Sequence, residues 1–294
     1  MTTSRAKTQR STKLGENERV RIGLVQMAMS PDREANLSKA LSMVTKACSK
    51  GAKIVCLPEL FTSLYFPQAK YAGEASEKIP GPTTEALSKC ARENSVVLIG
   101  GSIFEEDGAS RYNTSVVFDS DGAILGKYRK VHIPDDESFY EQDYFESGAG
   151  YRSFDSSVVK IGVLICFDQW YPEPARAVKL AGADVLFYPT AIGLVRGIRQ
   201  SEGSWKEAWE GVQRGHAISN SLVVAAANRT GREGRMRFWG GSFVCDQFGK
   251  ILARADEREQ VVLANCRIGL GRDIEEGWGF LRNRKPSTYG ALIQ

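Results

Sequence analysis

Apolar residues recur along this chain in two periods. Runs dense in Val, Ile and Leu at residues 21–27 (RIGLVQM), 52–57 (AKIVCL), 96–104 and 158–165 (VVKIGVLI) read as buried strands, the last leading directly into Cys166. Helical spacing governs the stretches between them. Residues 32–50 put Leu37, Leu41, Val44 and Ala47 on one face, residues 83–94 form a second helix, and residues 204–219 gather Trp205, Ala208, Trp209 and Val212. Residues 114–130 read as a hairpin turned at Ser120, Asp121 and Gly122. Residues 228–241 (NRTGREGRMRFWGG), glycine-rich and basic, read as a loop at a cleft rim or an interface.

The pattern then repeats. RIGLV at 21–25 is echoed by KIGVL at 160–164, GAKIVCLPE at 51–59 by GADVLFYPT at 182–190, and SVVFDSDGAIL at 115–125 by SFVCDQFGKIL at 242–252. Three matches in one order predict two structurally equivalent halves. Each half carries a sheet with helices on one side, so the two bare sheet faces bury each other. The expected fold is α/β, a four-layer α-β-β-α sandwich. The echo aligns Glu59 with Thr190 and Met27 with Cys166, which sets reactive residue types at strand ends, where α/β folds gather ligands.

Composition narrows the class. With 294 residues, 42% of them hydrophobic and 25% charged, the chain can bury a sizeable core. A net charge of +4 without a basic, aromatic-interleaved stripe points away from nucleic acid. No apolar run approaches the roughly 18 residues that would span a membrane. Six cysteines without metal-ligand spacing fit a reducing, cytoplasmic setting. His132 and His216 are the only histidines, so no metal site is expected, and His216 reads as a structural hydrogen-bonding residue. Residues 1–18, polar and lacking an apolar core segment, read as a disordered tail.

A lone strand cysteine is usually a packing residue; company singles out Cys166. A free thiol of pKa near 8.5 is only a few per cent ionised at neutrality. A carboxylate near 4.3 is about four units too acidic to deprotonate it, a mismatch on the order of 5 kcal/mol. Glu59 ends an apolar strand and precedes Leu60 and Phe61, so it is placed for partial desolvation, which suits a carboxyl to proton transfer. A buried lysine beside both, for which Lys130 in KYRKVHIPD is the candidate, would favour the thiolate and hold an oxyanion.

LPELF around Glu59, YRKVHIPD around Lys130 and GVLICFDQWYPE around Cys166, in that order, resemble the signature of the nitrilase (carbon-nitrogen hydrolase) superfamily. The likeness extends from about residue 20 to 290 and implies the four-layer sandwich and a thioester-type covalent intermediate, with no metal or organic cofactor. It implies Glu59 as general base, Lys130 as oxyanion stabiliser and Cys166 as nucleophile. Glu141 would orient Lys130 and the attacking water, and the Phe167 backbone N–H would join the oxyanion site. Tyr65, Asp168, Gln169, Trp170, Thr190 and Ala191 are the candidate substrate contacts. The resemblance implies a hydrolase domain over 19–271 and a C-terminal extension, 272–294, at the interface of a homodimer or larger assembly.

Within the superfamily, YRKVHIPDDESFYEQDYFESG, CFDQWYPEPAR, LFYPTAIG and QRGHAISN look most like the N-carbamoylputrescine amidases of polyamine synthesis. Relatives that hydrolyse N-carbamoyl amino acids carry an arginine pair where this chain has Gln169 and Trp170, so the bidentate clamp for a carboxylate is missing. Asp135, Asp136, Glu137, Glu141, Asp143, Asp168 and Glu173, beside Tyr140, Tyr144, Trp170 and Tyr171, suit a small cationic substrate instead. Phe167 and the arginine-rich 193–203 depart from the plant members' pattern. Another small amide or a nitrile, a transferase activity, and an idle binding protein on the same fold stand as alternatives.

Overall fold

The computed structural model describes residues 19–70 and 73–293; the expectation of a disordered tail at 1–18 falls outside them. Two sheets carry the chain. In the first, strands run in the order Gln260–Arg267, Arg19–Gln26, Ile54–Cys56, Val97–Ile99, Ser110–Phe118 and Ile103–Asp107, with Ile124–Arg129 also paired to Ser110–Phe118. The second runs Ile251–Arg254, Phe243–Cys245, Val223–Asn228, Val185–Thr190, Lys160–Val163 and Ser153–Asp155. Each has three parallel strands at its centre.

Side-chain alternation builds the layers. Ile22, Leu24, Ile54, Cys56, Val97 and Ile99 share one core with Ile161, Val163, Val185 and Phe187 of the other sheet. The intervening Val25, Val55, Leu57 and Leu98 face outward and meet Ala40, Val44, Leu87 and Ala91 of helices Arg33–Ser49 and Pro82–Asn94. Helices Pro172–Leu180 and Trp205–Asn220 cover the second sheet, with Ala175, Val178, Trp209 and Ala217 in its core. The layers are therefore helix, sheet, sheet, helix.

The echo is structural down to its defects. The hairpin in each half has its register shift at the matching place, Val117/Phe118 in one and Val244/Cys245 in the other. Both close the same way. Gly122 and Gly249, at φ +85° and +75°, donate to Asp119 and Asp246 carbonyls at 2.9 Å each. Gly23 and Gly162 likewise correspond, and each lets a helix press on its strand. A Cβ on Gly162 would lie 2.1 Å from Val178 Cγ1, and one on Gly23 3.2 Å from Ala47 Cβ.

Three expectations change. The run 96–104 is two strands broken at Gly100 and Gly101. A Cβ on Gly101 would come within 2.2 Å of the Pro58 carbonyl oxygen, and its φ of +59° turns the chain. Helix Trp205–Asn220 buries Trp209, Gln213, His216, Ala217 and Asn220 and leaves Ala208 exposed; the nitrogens of Gln213, His216 and Asn220 are each hydrogen-bonded to a backbone carbonyl, which lets polar side chains sit on the core face. Finally, 228–241 is no loop. Strands Thr230–Glu233 and Met236–Trp239 pair with Gly193–Val195 in a small third sheet. Among the described residues no helix is long and apolar enough to cross a membrane, and all six cysteines are free.

Candidate active site

The break at Gly100–Gly101 positions Glu59. Just past it, the Ser102 N–H donates to the Pro58 carbonyl (3.3 Å) and the Ser102 hydroxyl accepts from the Leu60 N–H (3.0 Å), pinning the turn that follows strand Ile54–Cys56. Glu59 is thereby held fully buried. Lys130, just past strand Ile124–Arg129, is also fully buried and donates its backbone N–H to the Asn113 carbonyl at 2.9 Å. Its ammonium contacts Glu59 Oε1 (2.9 Å), Glu141 Oε1 (2.9 Å) and Glu141 Oε2 (2.7 Å). A lysine has three protons, so carboxylates occupy all of them at rest.

Each carboxylate has a second support. The Tyr65 hydroxyl donates to Glu141 Oε1 at 2.8 Å, and Asn113 Nδ2 donates to Glu59 Oε1 at 2.8 Å. Glu59 Oε2, shielded from solvent, has no hydrogen-bond partner among the described residues. That oxygen is a free acceptor, and the Asn113 amide oxygen beside this cluster is likewise unpaired among the described residues.

Cys166 opens the short 3-10 turn Cys166–Trp170 with φ +42°, an uncommon conformation for a residue with a side chain. Asp168 holds the turn in shape. Its Oδ2 accepts from the Ile165 N–H (2.9 Å) and the Tyr128 hydroxyl (2.7 Å), and its Oδ1 from the His132 N–H (3.0 Å), with His132 Nδ1 at 2.8 Å. Tyr128 and His132 flank Lys130, so Asp168 staples the lysine segment to the cysteine turn.

Charge and burial set the protonation states. Burial pulls the Lys130 ammonium down, but Glu141 and Glu59 more than offset it, so the lysine stays charged above its ordinary range. Burial pushes the Glu141 carboxyl up, with Lys130 opposing. The Cys166 thiol is pushed well up by burial and then by Glu59, against Lys130 and a backbone N–H from Ala191. The surroundings of Cys166 thus favour the thiol over the thiolate.

A second brace reaches Glu59 from the other half of the molecule. Arg229, fully buried, follows strand Val223–Asn228 and donates to the carbonyls of Glu59 (2.9 Å), Leu60 (2.7 Å) and Ser63 (3.3 Å). Its Nη1 donates to both oxygens of Glu233 at 2.9 Å, and Glu233 Oε2 accepts the Tyr65 N–H at 2.5 Å.

Of the other residues the sequence marks, several turn inward. The Gln169 Oε1 accepts from Trp209 Nε1 (2.8 Å), and its Nε2 is buried without a partner among the described residues. Thr190 donates to the Tyr188 carbonyl at 3.0 Å, and His216 Nε2 to the Gln169 carbonyl at 2.8 Å. Trp170 packs half-buried against the main core. Phe167, half-buried edge-on against Tyr171, lines a cleft of about 470 Å³ with Val131, His132, Gln142 and Phe145. Among the acids, Glu137 pairs with Arg235 at 2.8 Å, Asp135, Asp136 and Glu173 are exposed, and Asp143 keeps a shielded Oδ2 without a partner among the described residues. Among the described residues no group of His, Cys, Asp and Glu could hold a metal ion.

Sequence reasoning missed Asn113, Arg229 and Glu233. One signal for Arg229 was present: it follows an apolar strand, as Glu59 and Cys166 do. Asn113 carries no such mark.

The carbon-nitrogen hydrolase family profile matches residues 21–275. The chain is 38% identical over 293 residues to N-carbamoylputrescine amidase of Arabidopsis thaliana, covering 95% of this chain and 97% of that protein. It is 35% identical over 284 residues to citrullinase of Francisella tularensis, covering 94% and 98%. A carbon-nitrogen hydrolase structure from Helicobacter pylori G27 superposes with a TM-score of 0.86 at 34% identity, covering 94% of this chain and 99% of that one. With a profile and relatives that span nearly the whole fold, this chain belongs to the carbon-nitrogen hydrolase family of the nitrilase superfamily.

Proposed function

We propose that this hydrolase splits a ureido carbon–nitrogen bond by a Glu59-Lys130-Cys166 mechanism, with N-carbamoylputrescine as substrate and putrescine, carbon dioxide and ammonia as products. The observation that carries the mechanism is the unpaired, shielded Glu59 Oε2 in a cage whose other donors are spoken for. Cys166 gives its proton to that oxygen as the sulfur attacks the ureido carbon. Glu59, now neutral, holds the Lys130 ammonium less strongly, and the released proton donor turns to the new oxyanion, with the Phe167 N–H beside it. Glu59 protonates the departing nitrogen and ammonia leaves, so an S-carbamoyl enzyme remains. Water, deprotonated by Glu59 and oriented through Glu141, attacks that carbon. Sulfur departs with a proton, and the carbamate decomposes to amine and carbon dioxide.

Two features support the substrate. Gln169 and Trp170 stand where an arginine clamp would be, and the 38% identity is to an enzyme named for this substrate. The citrullinase likeness favours a second reading. Citrulline is N-carbamoylputrescine with a carboxylate on the amine-bearing carbon, so the same ureido chemistry would serve it. We also propose a cytoplasmic homo-oligomer with a 19–271 catalytic domain. Exposed Trp278, just beyond helix Leu270–Gly277, would belong to its C-terminal interface segment.

Ammonia release is to be measured from N-carbamoylputrescine, citrulline, N-carbamoyl-β-alanine, an aliphatic amide and a nitrile, with Cys166→Ala protein as blank. Preference for N-carbamoylputrescine, lost with Cys166→Ala, is the expected result. Preference for another compound overturns the substrate, and turnover by Cys166→Ala overturns the mechanism.

A further inference from the structure

Asn113 lies on strand Ser110–Phe118, fully buried, and no chemistry marks it in the sequence. Its Nδ2 reaches Glu59 Oε1 at 2.8 Å, the same oxygen that Lys130 contacts at 2.9 Å, while Glu59 Oε2 is left bare. The amide orientation follows from chemistry: turned over, its oxygen would face a carboxylate. The two donors differ in permanence. Lys130 has other acceptors in Glu141, and once Glu59 is protonated the ammonium can redirect a proton to an oxyanion. The Asn113 amide has no such alternative and its backbone is fixed within the sheet, paired at Phe104.

We infer that Asn113 is the positioning residue that decides which oxygen of Glu59 acts as the base. The inference rests on the Glu59-Lys130-Cys166 reading and deepens it. By donating to Oε1, Asn113 makes that atom the carbonyl-like oxygen in the neutral acid and sends the transferred proton to Oε2. It also keeps Glu59 from rotating when the lysine contact loosens. A neutral carboxylic acid with its C=O held and its O–H pointing away is set to return that proton to a leaving nitrogen. The charged and titratable groups around Glu59 are Lys130 from the hairpin, Glu141 from the turn 141–143, Tyr65 from its own loop, and Cys166 and Arg229 from the other half, Arg229 on the Glu59 backbone carbonyl.

Two variants test this by the direction in which the pH profile moves. Asn113→Leu, close in shape but without a donor, loses a hydrogen bond that favours the ionised carboxylate. Its kcat/KM falls roughly 10- to 100-fold, mostly in kcat, and the acid limb shifts to higher pH. Asn113→Asp can donate only while protonated, so its activity is lost on the alkaline side instead. A purely structural asparagine would not displace the two limbs in opposite senses. Unshifted profiles in both variants, or the same shift in both, overturn the inference. If Asn113→Leu fails to fold, the alkaline loss in Asn113→Asp decides alone, and its absence is equally fatal. Cys166→Ala is measured alongside: turnover by that protein sinks the catalytic reading itself, whereas a dead Cys166→Ala with unshifted Asn113 profiles sinks only the role of Asn113.

Discussion

Arg229 and Glu59 arrive from opposite halves of the sandwich, yet the Arg229 guanidinium donates to the Glu59 carbonyl oxygen at 2.9 Å. The contact is to backbone, so it fixes where the chain carries the carboxylate and leaves the side chain free for chemistry. With Leu60 at φ +46°, the loop has little slack.

Removing that guanidinium should cost more than a surface arginine would. Arg229→Met leaves Glu233 buried without its cation and takes a donor from the carbonyls of Glu59, Leu60 and Ser63, of which Leu60 keeps the Ser63 N–H, a loss of about 3–5 kcal/mol. Denaturant titration checks it. The double variant Arg229→Met/Glu233→Gln regains part of the stability, because the stranded charge is gone, but not the activity, because the Glu59 loop stays unbraced.

Asp168 offers a sharper division. Its oxygens already serve Ile165, Tyr128 and His132, so the structure assigns it to bracing the Cys166 turn. Asp168→Asn puts an amide donor against donors in that nest. The expected outcome in steady-state kinetics is a fall in kcat of roughly 10- to 100-fold with little change in KM. A change confined to KM would return Asp168 to substrate binding.

The thiol gives a prediction in pH. Burial and then the Glu59 charge push Cys166 up, while Lys130 pulls it down. Glu59→Gln deletes one upward influence and leaves the lysine, so the thiolate forms at lower pH in the variant than in the parent. Ultraviolet absorbance of the thiolate across pH measures this directly. The variant would thus hold more thiolate and still turn over poorly, since no carboxylic acid remains at position 59 to protonate the leaving nitrogen.

The paired glycines test the two-half architecture. Gly162→Ala forces a methyl into Val178 and should destabilise by about 1–3 kcal/mol, whereas Gly23→Ala meets only contacts of 3.2–3.3 Å and should cost less. Thermal melting ranks them. Gly162→Ala should also lower kcat, because helix Pro172–Leu180, which it displaces, begins directly after the cysteine turn.

Much of this was legible in the chain because periodicity reports burial. RIGLV and KIGVL have alternating faces and marked both sheets, and the strand ends led to Glu59 and Cys166. The remainder was hidden for a physical reason. Hydrogen bonds to backbone carbonyls leave no pattern in sequence, so Arg229 sat unnoticed in a stretch rich in exposed arginines. Asn113 is one polar residue in a strand, and its meaning depends on a glutamate 54 positions away. Helix 205–220 misled for a related reason: Gln213, His216 and Asn220 are buried on its core face, where an apolar stripe was expected.

Glu59, Lys130 and Glu141 belong to the first half, Cys166 to the second, and an apolar layer lies between their sheets. The reach of base to sulfur is therefore set by the thickness of that layer as well as by the loops at its rim. A methylene added among Ile22, Ile54, Val163 and Phe187 would act as a wedge between Cys166 and Glu59, although it touches neither. The rim of the cleft can be rebuilt without moving either residue, whereas the interior volume fixes how far apart the two halves hold them.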